Sequence, residues 1–585
     1  MLIYGERVRR EAPGAMLERI EALLAGADAE PLWILRHERR VAALIEAGRL
    51  AQGLADAAFA ERGFDAPSPA ADAAMALARA IAAEVMASLS SRKVARPPSP
   101  SSRPERSGEP GPRGGARASW VPDRPFRAPG MTELVRGRAM PRAVEVKAPE
   151  GYAYYAVYPE TYGLAARGTR FEAPPAVLGL RSIGTSLAAI VGAAANARNV
   201  VTARPCGHPF SRELKLSDEL VRTLTAPVAV VDEGPGLSGS SFGAAGDLLE
   251  RLGVPAERRW FFPSHLGGPG PKSCERHRRR WAGAQKRLVT FEDYALPALP
   301  GWFEDLVGLP LGPLEDLSGG AWRTALNVEA PVHAAQERRK YLLRTSKGEF
   351  LLKFSGLGAT SSEKLRRAQA LHAAGFAPEP LALRHGFLLQ RWMGQARPPT
   401  DREAVMDVLG RYLAFRARRF PAAPEDGAAP GELVGMAAYN AGQLIGEAAA
   451  DAVRGRLAPL LSARLRPVRI DGRMHAWEWL ALPDGRILKA DVLDHDDAHD
   501  LVGCQDVGWD VAGAWVELGL TQDEAGRLCR RAGADETLLA AFEIAYLAFQ
   551  AGAWTMARDA AAPEERKAIE RLLDGYVSRL ARRLV

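Results

Sequence analysis

The stretch Val228-Ala-Val-Val-Asp232-Glu233-Gly-Pro-Gly-Leu-Ser238-Gly239-Ser240-Ser241-Phe242 constrains the fold more than any other part of the chain. Its apolar run has no polar alternation, so it reads as a strand buried on both faces. Two acids end the strand, a Gly/Ser loop follows, and a helical pattern runs over 240–252. Further strand-like runs lie at Tyr154–Tyr158, Ala176–Leu180 and Asn199–Thr202, with helical patterns over 185–196 and 211–224. Alternating β and α elements predict a parallel sheet with covered faces, which binds ligands at the carboxyl ends of its strands. Glycine permits tight turns, and backbone N–H groups with Ser hydroxyls at a helix N-terminus suit an anion. Asp232 and Glu233 repel a phosphate, so they suit sugar hydroxyls or a phosphate-bound Mg²⁺.

This order resembles the ribose-phosphate loop of type I phosphoribosyltransferases. The resemblance implies that Asp232 and Glu233 hold the ribose of phosphoribosyl pyrophosphate at the catalytic centre, while Ser238, Gly239, Ser240 and Ser241 hold its 5-phosphate. A second match lies some fifty residues upstream, at Leu178-Gly-Leu-Arg181-Ser-Ile-Gly184-Thr185-Ser186. It too follows a strand and opens a helix, and the resemblance makes Arg181, Gly184, Thr185 and Ser186 the pyrophosphate loop. Arg204, His208, Arg212 and Lys215 fall where the family carries its mobile hood. Two departures stand out: the loop is about one residue longer between the acids and the Ser-Gly pair, and the second acid is Glu. The resemblance spans about 150–265.

The C-terminal half has a different texture. Strand-like runs at 340–345 and 349–354 flank the turn Ser346-Lys347-Gly348, followed by a helix at 361–374 and a strand at 386–392. Residues 400–465 and 509–585 are largely helical, around a strand-rich segment at 468–493. Lys353 lies in an apolar strand, where an ammonium needs a carboxylate or phosphate partner, or an exposed strand face. Glu363, opening the next helix, could pair with it. The Gly turn in 317–325 could cover phosphates or simply join two strands.

This order resembles the aminoglycoside-phosphotransferase-like kinases of the protein-kinase-like fold. The resemblance implies that Lys353 contacts the ATP phosphates, Glu363 holds it, and Gln390 to Met393 form the hinge near adenine. Asp471 becomes the catalytic base and Asp491 a Mg²⁺ ligand, while Asp506 and Asp510 reproduce a later four-residue spacing. The departures are substantial. The usual His-Gly-Asp is Arg469-Ile470-Asp471, and the Asn expected five residues after the base is missing. Glu478 could stand in as a metal ligand. The cluster Asp494-His495-Asp496-Asp497-Ala-His499-Asp500 reads as a solvated acidic loop, with a divalent-ion site as the alternative.

Residues 91–130 contain nine Pro, five Gly and six Ser, which cannot supply a core. They carry +6 of the net +7, leaving the other 545 residues at +1. Near-neutral folded parts and a tether poor in aromatics argue against nucleic acid as a partner. Before the tether, residues 15–90 repeat apolar residues at helical spacing. The four cysteines form no Cys-x-x-Cys pair, which fits a reducing cytoplasm. No uninterrupted 18-residue apolar run appears, so no membrane span is expected.

The expected architecture is multidomain. It comprises an all-α module over 1–90, a basic Pro/Gly/Ser linker over 91–130, an α/β parallel-sheet phosphoribosyltransferase-like domain over 131–290, and an α+β two-lobed kinase-like domain over 291–585. The expected function is a bifunctional transferase. One half would transfer a phosphoribosyl group from phosphoribosyl pyrophosphate, and the other would use ATP and Mg²⁺ to phosphorylate an unnamed small-molecule acceptor. The alternative is a nucleotide-sensing regulatory protein whose kinase-like half is inactive.

Overall fold

The structure, a computed structural model, describes residues 8–90, 128–496 and 502–585. Most of the Pro/Gly/Ser linker, and Asp497, His499 and Asp500 of the acidic cluster, lie outside the described residues. The described residues form two compact units: those of Arg10–Val146 with Tyr158–Thr290, and Lys147–Val157 with the described part of Phe291–Val585.

The first unit joins the N-terminal helices to the central sheet. Helix Trp33–Arg62 packs against both Pro13–Ala29 and Pro69–Ser90. Pro13 starts the first, and Gly63, at φ 78°, ends the second in the left-handed conformation that glycine tolerates best. The second helix also lies against Gly184–Ala194. A Cβ on Gly48 would come within 2.5 Å of the Ser186 Cβ, so glycine permits this close approach.

Five parallel strands form the sheet, in the order Asn199–Ala203, Ala176–Leu180, Val228–Val231, Arg259–Phe262 and Gln285–Lys286. Numbered along the chain, that order is 2-1-3-4-5. Every residue of Ala176–Leu180 and Val228–Val231 is buried, as their unbroken apolar sequence requires. Leu178, Leu180, Val228 and Val230 pack with Phe242, Phe261 and Trp281. Helices Gly184–Ala194 and Ser240–Arg251 follow the two central strands.

Two sequence expectations fail in these regions. Residues 154–158 do not form a strand: Glu150–Ala153 is a short helix, and Ala156 sits at φ 53° in the turn that follows. Residues 211–224 are not one helix either. Ser211–Leu214 pairs with Pro205–His208 as a hairpin, and only Asp218–Thr223 is helical, capped by the Ser217 hydroxyl.

The second unit has the α+β two-lobed order. Its antiparallel sheet runs Glu315–Asp316, Lys340–Thr345, Gly348–Phe354, Phe387–Arg391 and Pro380–Arg384. Helix Ser361–Ala373 packs on the edge strand Pro380–Arg384. The Gly turn of 317–325 leads into a short helix, Trp322–Leu326, rather than a second strand. Beyond residue 400, seven longer helices share one apolar core with the two-stranded ribbon Trp479–Ala481/Ile487–Lys489. The segment Glu536–Ala560 is long and apolar enough to cross a membrane, and 89% of its 18-residue apolar window is buried inside the protein.

Candidate functional sites

In the first unit, the loops after strands Ala176–Leu180 and Val228–Val231 meet at the carboxyl ends of adjacent strands. In a 2-1-3-4-5 sheet, connections leave these two strands toward opposite sides, which opens the crevice where such folds bind ligands. The two loops touch: a Cβ on Gly184 would fall 2.7 Å from the Val231 carbonyl oxygen. Asp232 and Glu233 are half-buried at the strand end. The Tyr162 hydroxyl donates to the Asp232 carbonyl at 3.0 Å, and Asp232 Oδ1 accepts from the Glu233 N–H at 2.8 Å.

Gly239, at φ 60°, sets the start of helix Ser240–Arg251. Ser238 Oγ donates to Ser240 Oγ at 2.9 Å, and both hydroxyls reach the Pro209 carbonyl, at 3.1 and 2.7 Å. Pro209 is at the tip of the 205–214 hairpin, so that hairpin, expected as the hood, lies against this loop. Ser241 is half-buried on the helix's first turn.

Arg181 is placed differently from the expectation. Its side chain is 1% exposed and paired with two aspartates of the helical region. Nε donates to Asp56 Oδ1 at 2.8 Å, and Nη2 to Asp65 Oδ1 at 2.5 Å. Arg204 also grips Asp56, and its backbone N–H donates to Asp65 Oδ2 at 2.9 Å. Arg181 therefore sits in a buried ion-pair cluster with Asp56, Asp65 and Arg204. Thr185 and Ser186 are buried at the head of helix Gly184–Ala194, and the Thr185 hydroxyl has no hydrogen-bond partner among the described residues.

The second unit contains a cleft of about 1000 Å³, its open mouth included. Lys353, Gln390, Met393, Glu478, Leu480 and Asp491 all line it. Lys353 faces the cleft because strand alternation turns it opposite to its apolar neighbours Leu352 and Phe354. Its Nζ is 2.5 Å from Asp491 Oδ1 and 2.8 Å from Asp494 Oδ2. Burial opposes the ammonium charge, but these two carboxylates outweigh it and hold the lysine above its ordinary range. Asp491 is correspondingly held well below the ordinary carboxylate range, with burial opposed chiefly by Lys353.

Glu363 is not the partner of Lys353. It pairs with Arg469 at 3.1 Å, on a side chain 39% exposed. The helix face turned inward carries Lys364 and Arg367 instead, which pair with Asp494 at 3.2 Å and Asp496 at 2.8 Å. Asp494 and Asp496 are therefore buried ion-pair partners, with His495 buried beside them, rather than a solvated loop.

Asp471 lies beneath the cleft and is fully buried. Tyr412 donates its hydroxyl to Oδ2, while Oδ1 accepts from the Arg473 N–H at 3.2 Å and lies 3.3 Å from Lys489 Nζ. Burial raises its pKa, but Lys489, His495 and Arg416 more than offset this and hold the carboxyl well below its usual range. Asp510 accepts from the backbone N–H groups of Asp471 and Gly472, at 2.7 and 2.9 Å, and so fixes this turn. Burial and then the Asp471 charge push Asp510 up to about 7. Asp506 holds its own turn, accepting from the Gly508 and Arg466 N–H groups at 3.0 Å each.

The two expected Mg²⁺ ligands differ in their fitness. Asp491 is a carboxylate on the cleft wall with 20% of its side chain exposed, and it suits a hard cation. Glu478 gives Oε2 to Lys489 at 2.5 Å and has Arg473 3.9 Å from Oε1, so two cations already flank it. Sequence reasoning missed the rest of the wall. His475 stacks on Trp477 with ring centroids 4.3 Å apart, meets Trp554 edge-on, and is anchored by Glu517 at 2.9 Å.

No family profile matches the chain, and no curated protein matches it. Solved structures do show likenesses. One is the choline kinase LicA from Streptococcus pneumoniae, at 15% identity and TM-score 0.29, covering 41% of this chain and 89% of that one. A choline/ethanolamine kinase family protein from Mesorhizobium loti is 15% identical at TM-score 0.30, covering 50% and 95%. A spectinomycin phosphotransferase, solved with ADP and spectinomycin, is 12% identical at TM-score 0.34, covering 49% and 97%.

Proposed function

We propose that the second unit binds ATP in its cleft and transfers the γ-phosphoryl group to a small-molecule acceptor. The observation that carries this reading is the meeting of Lys353 with Asp491, 2.5 Å apart, on the wall that also holds Gln390 and Met393. Leu351 and Leu480 line the same cleft and offer apolar surface to a base, and Lys353 offers an ammonium to phosphates. Asp491 would hold Mg²⁺, which when bound neutralises phosphate charge. Asp471 serves as a positioning carboxylate: hydrogen bonds take up both its oxygens and lower its basicity. Incubation with γ-labelled ATP, Mg²⁺ and panels of hydroxyl and amine acceptors tests the reading. Label should pass to an acceptor with wild type and not with Asp491→Asn. ATP binding without transfer to any acceptor would favour the second reading, a nucleotide sensor, which the full burial of Asp471 supports.

For the first unit we infer phosphoribosyl transfer, with Asp232 and Glu233 on the ribose and the 238–241 loop on the 5-phosphate of phosphoribosyl pyrophosphate. Support comes from both loops leaving adjacent strands at the reversal point of the sheet. Catalysis there rests on positioning and charge stabilisation. A ligand at 100 times its Kd stabilises the fold that binds it by about 2.7 kcal/mol. Phosphoribosyl pyrophosphate with Mg²⁺ should therefore raise the melting temperature of wild type, and not that of a folded Asp232→Asn/Glu233→Gln variant. Absence of a shift in wild type removes the reading.

A further inference from the structure

Lys489 belongs to the short strand Ile487–Lys489, two residues before Asp491, and it is fully buried. An ammonium has three donors. Here they meet three oxygens: Glu478 Oε2 at 2.5 Å, the Asp491 carbonyl at 2.9 Å and Asp471 Oδ1 at 3.3 Å. A buried lysine is retained only where partners of this kind hold its charge. All three oxygens come from the acids that the kinase resemblance assigns to the base and to the metal.

We propose that Lys489 is a tethered cation standing where a second divalent ion would otherwise sit, so that the cleft takes its nucleotide with one metal ion, at Asp491. The proposal rests on the reading of this cleft as an ATP site. Kinases of this type hold two Mg²⁺ ions, one at the strand-end Asp and one at the catalytic-loop Asn. This chain lacks that Asn. Glu478 could have replaced it, but its carboxylate faces Lys489 and Arg473, and a divalent ion there would meet two like charges. The ammonium does part of what the ion would do: it places a fixed positive charge beside Asp471 and beneath the cleft floor. It does so without depending on metal concentration.

The test is a Mn²⁺ titration of the full chain with a non-hydrolysable ATP analogue, counting bound ions by the loss of free-ion paramagnetic resonance. Wild type should bind one Mn²⁺ per chain. Glu478→Gln, a conservative change at a residue that carries no metal in this reading, should still bind one with affinity changed less than threefold. Lys489→Met, which uncovers Glu478 and Asp471, should bind two. Two ions in wild type, or loss of Mn²⁺ in Glu478→Gln, overturns the proposal while leaving the ATP reading intact. A folded Lys489→Met that still binds one ion also overturns it. Failure of wild type to bind the analogue removes the ATP reading and this proposal together. If Lys489→Met does not fold, Lys489→Gln, which removes the charge and keeps hydrogen-bond donors to these oxygens, takes its place with the same expected count of two.

Discussion

Arg181 and Lys353 hold parallel positions in the two units. Each is a buried basic side chain on, or just after, an interior strand of its sheet, and each lies between two aspartates. The origin of the aspartates differs. Those of Arg181 come from the N-terminal helical region, more than a hundred residues away in sequence, and they tie helix to sheet. Those of Lys353 follow the strand Ile487–Lys489, and one of them, Asp491, is on the wall of an open cleft. The same chemical pair is thus a fastening in one unit and a charged surface facing solvent space in the other. Ion pairs alone do not mark a site; what lies beyond them does.

The comparison can be broken most directly at Arg181. Removing one partner of a buried ion pair costs about 3–5 kcal/mol, because charges are left without compensation. Arg181→Met should lower the stability of the first unit by that amount, read by urea titration with hydrogen exchange on strand Ala176–Leu180. A change below about 1 kcal/mol would mean that the contact is incidental. Lys353→Met leaves Asp491 without its lysine partner and should also act on the ligand. Losing a charge-assisted hydrogen bond costs about 1.5–3 kcal/mol, or roughly 10- to 100-fold in ATP affinity. Calorimetry showing unchanged affinity would place the phosphates elsewhere. Ser238→Ala should give the smallest effect, about 0.5–1 kcal/mol, since the Ser240 hydroxyl also reaches the Pro209 carbonyl. Faster amide exchange confined to the 205–214 hairpin would confirm that this loop fastens it; an unchanged rate would assign the fastening to Ser240.

Much of the fold was legible because its central elements are locally consistent. Strands Ala176–Leu180 and Val228–Val231 are short apolar runs bounded by turn residues, and no other element accommodates them as well. The failures share a cause, which is that tertiary partners overrode local preference. Tyr154 and Tyr158 have strand propensity, yet Tyr154 is buried with the Arg338 guanidinium 4.6 Å from its ring centre, and the Tyr152 carbonyl accepts from Leu357. Those contacts satisfy the segment without a neighbouring strand. Glu363 was misassigned because spacing in sequence does not say which helix face turns inward, and here that face carries Lys364 and Arg367. Asp494 and Asp496 read as solvated because their cations, Lys353, Lys364, Arg367 and Arg469, are scattered along the chain. The expected cleft residues Lys353, Met393, Glu478 and Asp491 do converge on one space, whereas Asp471 lies under its floor.

The double clamp on Lys353 has a consequence for what the cleft admits. A ligand reaching that ammonium must exchange places with a carboxylate, and only an anion can offer a comparable partner. A nucleoside without phosphates would leave Asp491 and Asp494 where they are and gain nothing from the lysine. A polyphosphate would release Asp491 as it docks, freeing that oxygen for a cation carried in with it. The entrance is thus sorted by charge before it is sorted by shape, and the toll is set by two aspartates rather than by the walls.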